Sequence, residues 1–132
     1  MELLPLHRLG AHERSPGVMD FGLLLPWVGA ADGNRMWVKI IHERDQFLQG
    51  IQPLWFELVH GIDPDYGDYW SATVDIAGTP KPAPGSAWGE PGRYIYRYHL
   101  RNPNVGDLDW IVDPFAREFG VGKLSAFTLG YA

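Results

Sequence analysis

Across residues 68–76 the side chains alternate without a break. Trp70, Ala72, Val74 and Ile76 fall on one side, and Tyr69, Ser71, Thr73 and Asp75 on the other. A period of two turns one set toward a core and the other toward solvent, which is the mark of a half-buried strand. The period returns in residues 35–42, where Met36, Val38 and Ile40 oppose Trp37, Lys39 and Ile41. It returns again in 54–60, where Leu54, Phe56 and Leu58 oppose Trp55, Glu57 and Val59. In 93–100, Tyr94, Tyr96, Tyr98 and Leu100 share a face. Further strand-like stretches lie at 18–25 and 110–112, and no long helical pattern competes with them.

Between these stretches the chain carries reversal chemistry: Ser15-Pro16-Gly17, Asp32-Gly33-Asn34, the acidic 61–67 and Asn102-Pro103-Asn104. Residues 77–91 hold four prolines and cannot donate a regular ladder, so they form a long loop. The sixteen glycines and eleven prolines, about one residue in five, and the 14% aromatic content fit many short strands. A chain of 132 residues has room for one domain. The expected fold is all-β: an antiparallel, immunoglobulin-like β-sandwich with a long Pro/Gly loop and an apolar C-terminal extension. A small closed barrel is the other all-β solution. The organisation reads as an N-terminal extension over 1–17, the sandwich over 18–114 and a tail over 115–132. Phe115, Phe119, Val121, Leu124, Phe127, Leu129 and Tyr131 make that tail so apolar that it should want a cover. It reads as the lead-out of a longer polypeptide.

Several chemistries are excluded. With no cysteine there is no disulfide framework, thiolate metal site or cysteine nucleophile. A net charge of −5 argues against a sequence-independent grip on nucleic acid or an anionic membrane. The start of the chain lacks a basic n-region, and no apolar run could span a bilayer, so the chain reads as cytoplasmic. His7, His12, His42, His60 and His99 show no metal-ligand spacing, and no metal or cofactor is expected. The Asp63-Pro64-Asp65-Tyr66-Gly67-Asp68 turn has oxygen ligands at alternate positions but lacks the closing bidentate acid of a calcium loop, so it reads as a solvated acidic hairpin.

Aromatic residues carry the remaining question. Trp70 and the tyrosine row read as core. Trp37 and Trp55 sit opposite the more uniformly apolar faces of their strands, beside Lys39 and Glu57, and Trp88 sits in the Pro/Gly loop. These three are the candidates for stacking on sugar rings or packing on a partner.

Gly92-Arg93-Tyr94-Ile95-Tyr96-Arg97-Tyr98 followed by Asp113-Pro114-Phe115-Ala116, with Asp68-Tyr69-Trp70 leading into an apolar strand, resembles one module. It is the N-terminal β-sandwich, often classed as carbohydrate-binding module family 48, that precedes the catalytic barrel of glycoside hydrolase family 13 enzymes. The resemblance spans about four-fifths of the chain. It implies a noncatalytic module of an α-glucan-acting enzyme, partnered by the barrel of the same polypeptide. Trp110, Asp113, Phe115, Phe119 and Phe127 would then make the interdomain contact. The chain departs from the sugar-binding members at His42-Glu43-Arg44-Asp45-Gln46-Phe47, which lacks the Gly, Asn and Trp of their Gly-x-Phe-Asn-x-Trp stretch. A true α-glucan-binding module and a homodimerisation module are the alternatives. No catalytic residue is expected, since the family's barrel needs about 250 residues.

Overall fold

In the computed structural model the described residues are 9–47, 50–116, 118–120 and 124–130. The expected all-β antiparallel sandwich is what they form. The strands are β1 (Gly10–Ser15), β2 (Val18–Leu24), β3 (Arg35–His42), β4 (Leu54–Glu57), β5 (Val59–Asp63), β6 (Gly67–Asp75), β7 (Gly92–Asn102), β8 (Gly106–Ile111), β9 (Glu118–Phe119) and β10 (Ser125–Leu129). Two short 3₁₀ turns cover Ala30–Asp32 and Glu43–Phe47. One sheet runs β1-β2-β6-β5. The other runs β4-β3-β7-β10-β9, with β8 sharing the free edge of β7.

The alternation sets the register. Val38 lies opposite Tyr98 and Ile40 opposite Tyr96 on the inner side, while Trp37 lies opposite His99 and Lys39 opposite Arg97 on the outer side. Phe21, Leu23, Trp70 and Val74 of the smaller sheet meet Met36, Val38, Ile40, Tyr94, Tyr96 and Tyr98 of the larger one in a single core. Edge-on aromatic contacts such as Phe21–Tyr96, at 5.2 Å between ring centres, interlock the layers. At the β1–β2 reversal Gly17 takes φ 79°, and a Cβ there would lie 2.7 Å from the Cβ of Ala77. Only glycine meets both demands.

Three expectations change. Residues 54–60 are not one strand: β4 pairs with β3 and β5 with β6, so the chain crosses between sheets at buried Leu58, whose N–H donates to Met36 O at 2.8 Å. Strict alternation survives because a strand that switches sheets at a sandwich corner keeps its inward phase. Within the N-terminal extension, residues 10–15 are strand β1, paired along β2. Part of the C-terminal tail, residues 125–129, finds its cover inside this domain. Strand β10 pairs with β7, its Ala126, Phe127 and Leu129 are buried, and the Phe127 ring stacks on Tyr94 at 5.3 Å with parallel planes. Phe127 is therefore core and not an interdomain contact.

Candidate functional site

Side chains on the outer face of the larger sheet come from β3, β4, β7 and β8. The outward residues of each strand are Arg35, Trp37 and Lys39; Trp55 and Glu57; Arg97, His99 and Arg101; Asp107 and Asp109. Cross-strand pairing places Trp37 between Glu57 and His99, and Lys39 between Trp55 and Arg97. Trp55 is 43% exposed and Trp37 half-buried, so the structure brings these two expected residues together. Their ring centres lie 5.9 Å apart with planes at 66°. His99 completes the cluster, 4.7 Å from the Trp55 ring.

Cations cap these rings. Lys39 Nζ stands 4.2 Å from the Trp55 ring centre, and the guanidiniums of Arg35 and Arg101 stand 4.8 and 5.0 Å from that of Trp37. Each cation is also held by a carboxylate. Arg35 donates to both oxygens of Glu57, Lys39 to Asp109 at 3.0 Å, and Arg101 to Asp107 at 3.1 Å. His99 Nδ1 and Nε2 face Asp109 and Asp107, each at 3.0 Å. Burial pushes the Asp109 carboxyl up, but hydrogen bonds from Lys39 and His99 and the Arg97 charge outweigh it and hold the group at about 2. Asp107 is lowered by its bonds from Arg101 and His99, and Glu57 by its bond from Arg35. All three acids are ionised at neutral pH.

Trp88 is a correction. It is 1% exposed, donates its indole N–H to Ile76 O at 3.1 Å, and stacks on Phe56 at 6.0 Å. The Pro/Gly loop folds inward because buried Asp45 accepts from Ser86 Oγ at 2.6 Å and from the Ala87 N–H. No sugar can reach that indole. Asp113, expected at a domain contact, is also internal. It is 1% exposed, accepts the Tyr96 hydroxyl at 2.6 Å and caps the Phe115 N–H at 2.8 Å. Burial raises its carboxyl, against the lowering pull of those two bonds. Phe115 is half-buried, with its carbonyl against Gly10. Phe119 is 52% exposed. Trp110 belongs to β8, and its side chain lies outside the described residues.

Elsewhere, the outer face of the smaller sheet has a depression of about 590 Å³ lined by His12, Arg14, Asp20, Tyr69, Ser71 and Thr73 among others. Its charges are spent on each other: Asp20 accepts from Arg14 at 2.8 Å and from Thr73 at 2.6 Å. His60 Nε2 lies 2.7 Å from Asp68 Oδ1, with the imidazole ring 4.8 Å from that of Trp70. Among the described residues no group of three or more His, Asp or Glu side chains is arranged to hold a metal ion. In the acidic hairpin, Asp63 Oδ1 is occupied by the N–H groups of Asp65 and Tyr66.

Sequence reasoning missed two features. One is the Asp107–His99–Asp109 arrangement, because the last strand, expected only over 110–112, starts at Gly106. The other is Trp27, 91% exposed at φ 67°. Its signal was the preceding Pro26, which favours the second position of a turn. No known protein family, curated protein or solved structure matches this chain.

Proposed function

We propose that the domain is a noncatalytic interaction module, the N-terminal β-sandwich of an α-glucan-acting enzyme of the α-amylase-like class. It would dock on the catalytic barrel through the outer face of the larger sheet. The motifs at 92–98 and 113–116 support the parent class. The observation that carries the docking reading is the Trp37–Trp55 pair.

A flat glucan platform needs coplanar aromatic faces left open for sugar C–H groups. Here the rings meet at 66° and are capped by Lys39, Arg35 and Arg101. Tryptophan and arginine in one cluster, with polar groups already satisfied, are the composition of protein-interface hot spots. Glycoside hydrolysis needs one carboxyl kept protonated as general acid, whereas Asp107 and Asp109 are both driven the other way.

The test is a titration of the domain against an α-amylase-like barrel supplied in trans, followed by tryptophan fluorescence. Saturable binding weakened about tenfold or more by Trp55→Ala is expected. Maltoheptaose, with a β-linked oligosaccharide as control, runs in parallel. Saturation with the α-linked sugar at or below about 1 mM, lost in Trp55→Ala, would overturn docking in favour of sugar binding. Growth of the scattering mass with concentration would favour the homodimer.

A further inference from the structure

At one end of the sandwich the β2–β3 connection, the β5–β6 hairpin turn and the β7–β8 turn come together. Leu25 N–H donates to Asp68 O at 3.0 Å, a Cβ on Gly67 would sit 4.0 Å from Pro26 Cα, and Asn102 Nδ2 donates to Asn34 Oδ1 at 2.6 Å. Leu25-Pro26-Trp27-Val28 closes a turn, with Val28 N–H on Leu25 O at 3.0 Å. Its third residue, Trp27, has φ 67°. That position belongs by sterics to Gly or Asn.

A tryptophan held there brings the fold almost nothing, since 91% of it is in solvent. On the adjoining hairpin, Ile62 is 75% and Tyr66 44% exposed. Neighbouring apolar side chains left in water mark a contact surface.

Charge indicates what the surface contacts. Residues 25–34 and 58–68 contain Asp32, Asp63, Asp65 and Asp68 and no lysine or arginine. Asp68 faces His60, whereas Asp32 and Asp65 meet no cation among the described residues. Every described lysine and arginine of the chain is already in ion-pair contact with a carboxylate. In a second copy those described cations would likewise be engaged. The end is acidic and aromatic at once, and its complement is cationic with an apolar stem.

We infer that this end of the sandwich, with Trp27 at its tip, is a docking surface for an arginine- or lysine-bearing segment of another protein. A guanidinium stacks on the indole face while its plane meets carboxylates edge-on, and Ile62 and Tyr66 take the aliphatic stem. This surface is separate from the outer face of the larger sheet, and the inference does not rest on the α-glucan reading.

The experiment is a nitrogen–proton NMR titration with hexa-arginine, using hexaglutamate and maltoheptaose as separate controls. The indole signal of Trp27 is identified as the one lost in Trp27→Gly. Hexa-arginine should shift that signal and the amides of Asp63, Asp65 and Tyr66 saturably. Raising salt from about 50 to about 300 mM should weaken binding about tenfold. Trp27→Gly should weaken it about tenfold or more while leaving the melting temperature unchanged or raised, because glycine suits the backbone angle. That result separates lost contact from lost fold. Asp32→Asn with Asp65→Asn should reduce the salt dependence. Any of three results overturns the proposal: hexa-arginine binding unaffected by Trp27→Gly, no shift up to about 1 mM peptide, or the same signals moved by hexaglutamate or maltoheptaose.

Discussion

Replacing Tyr98 with phenylalanine should stabilise this domain, although the ring lies in the middle of its core. Tyr98 is fully buried, with its ring centre 5.9 Å from Tyr96 in an edge-on contact. Its hydroxyl has no hydrogen-bond partner among the described residues. Burial pushes the phenol far above its ordinary range, so it stays neutral, but a neutral hydroxyl still loses its water bonds on folding. An unpaired buried hydroxyl costs about 1–3 kcal/mol in proteins. Removing one oxygen leaves a void of about 10–15 Å³, worth about 0.3 kcal/mol at the usual cavity coefficient. The net expectation is a gain of about 1 kcal/mol, or a rise in Tm of about 4 °C for a domain of this size. Tyr96→Phe is the internal control, two residues along the same face of β7. Its hydroxyl bonds the Asp113 carboxyl at 2.6 Å, so that substitution should cost about 1.5–3 kcal/mol. Urea unfolding of both variants reads the difference, with m unchanged as the check that the denatured state has not moved. A Tyr98→Phe protein less stable than the parent by about 0.5 kcal/mol or more would refute the reasoning, since the hydroxyl would then be satisfied.

Asp113 has a raised folded pKa, so its contribution is fully present below its unfolded value of 3.8 and is lost as pH rises through the folded value. Asp113→Asn keeps the acceptor for Tyr96 and should flatten that fall in a Tm-against-pH series. Asp109 has the opposite sign: its stabilisation is present above 3.8 and lost as pH falls toward about 2. Asp109→Asn should remove about 1 kcal/mol at neutral pH, after allowing for solvent screening of a third-exposed group, and should also remove the loss over that window. Phe127→Ala should cost about 3–5 kcal/mol by urea unfolding; a cost under about 1 kcal/mol would mean that β10 does not hold its place in the sheet.

Strand existence was legible wherever one face is uniformly apolar and the period is two, as in β3, β6 and the tyrosine row of β7. Sheet membership was not. The crossing at Leu58 preserves alternation, so the pattern that reveals the strand conceals its change of partner. Burial of loop residues was hidden for a related reason. Trp88 lies in a segment whose prolines and glycines speak only of its backbone, and its inward turn depends on Asp45, some forty residues earlier in the chain. The cover of Phe127 is illegible in the tail's own sequence because the Tyr94 and Phe21 rings that supply it come from β7 and β2. At the candidate site, Trp37 and Trp55 were found from phase alone. The cations over their rings depend on cross-strand register, which a single sequence does not fix.

The net charge of −5 conceals two surfaces of different character. On the outer face of the larger sheet, cations and carboxylates nearly balance and each is bonded to a neighbour. A partner docking there exchanges satisfied ion pairs for others and gains mainly from covering Trp55 and Trp37, so its affinity should depend weakly on salt. At the Trp27 end, Asp32 and Asp65 have no described counter-charge, and any cationic partner gains from neutralising them. Those charges are exposed, so that gain is screened over about 10 Å at ordinary salt and shrinks as salt rises. Two contacts on one small domain should therefore separate by ionic strength. If both fell together as salt rose, the ion pairs on the sheet face would be opening on binding, and the view of that face as pre-paired would be wrong.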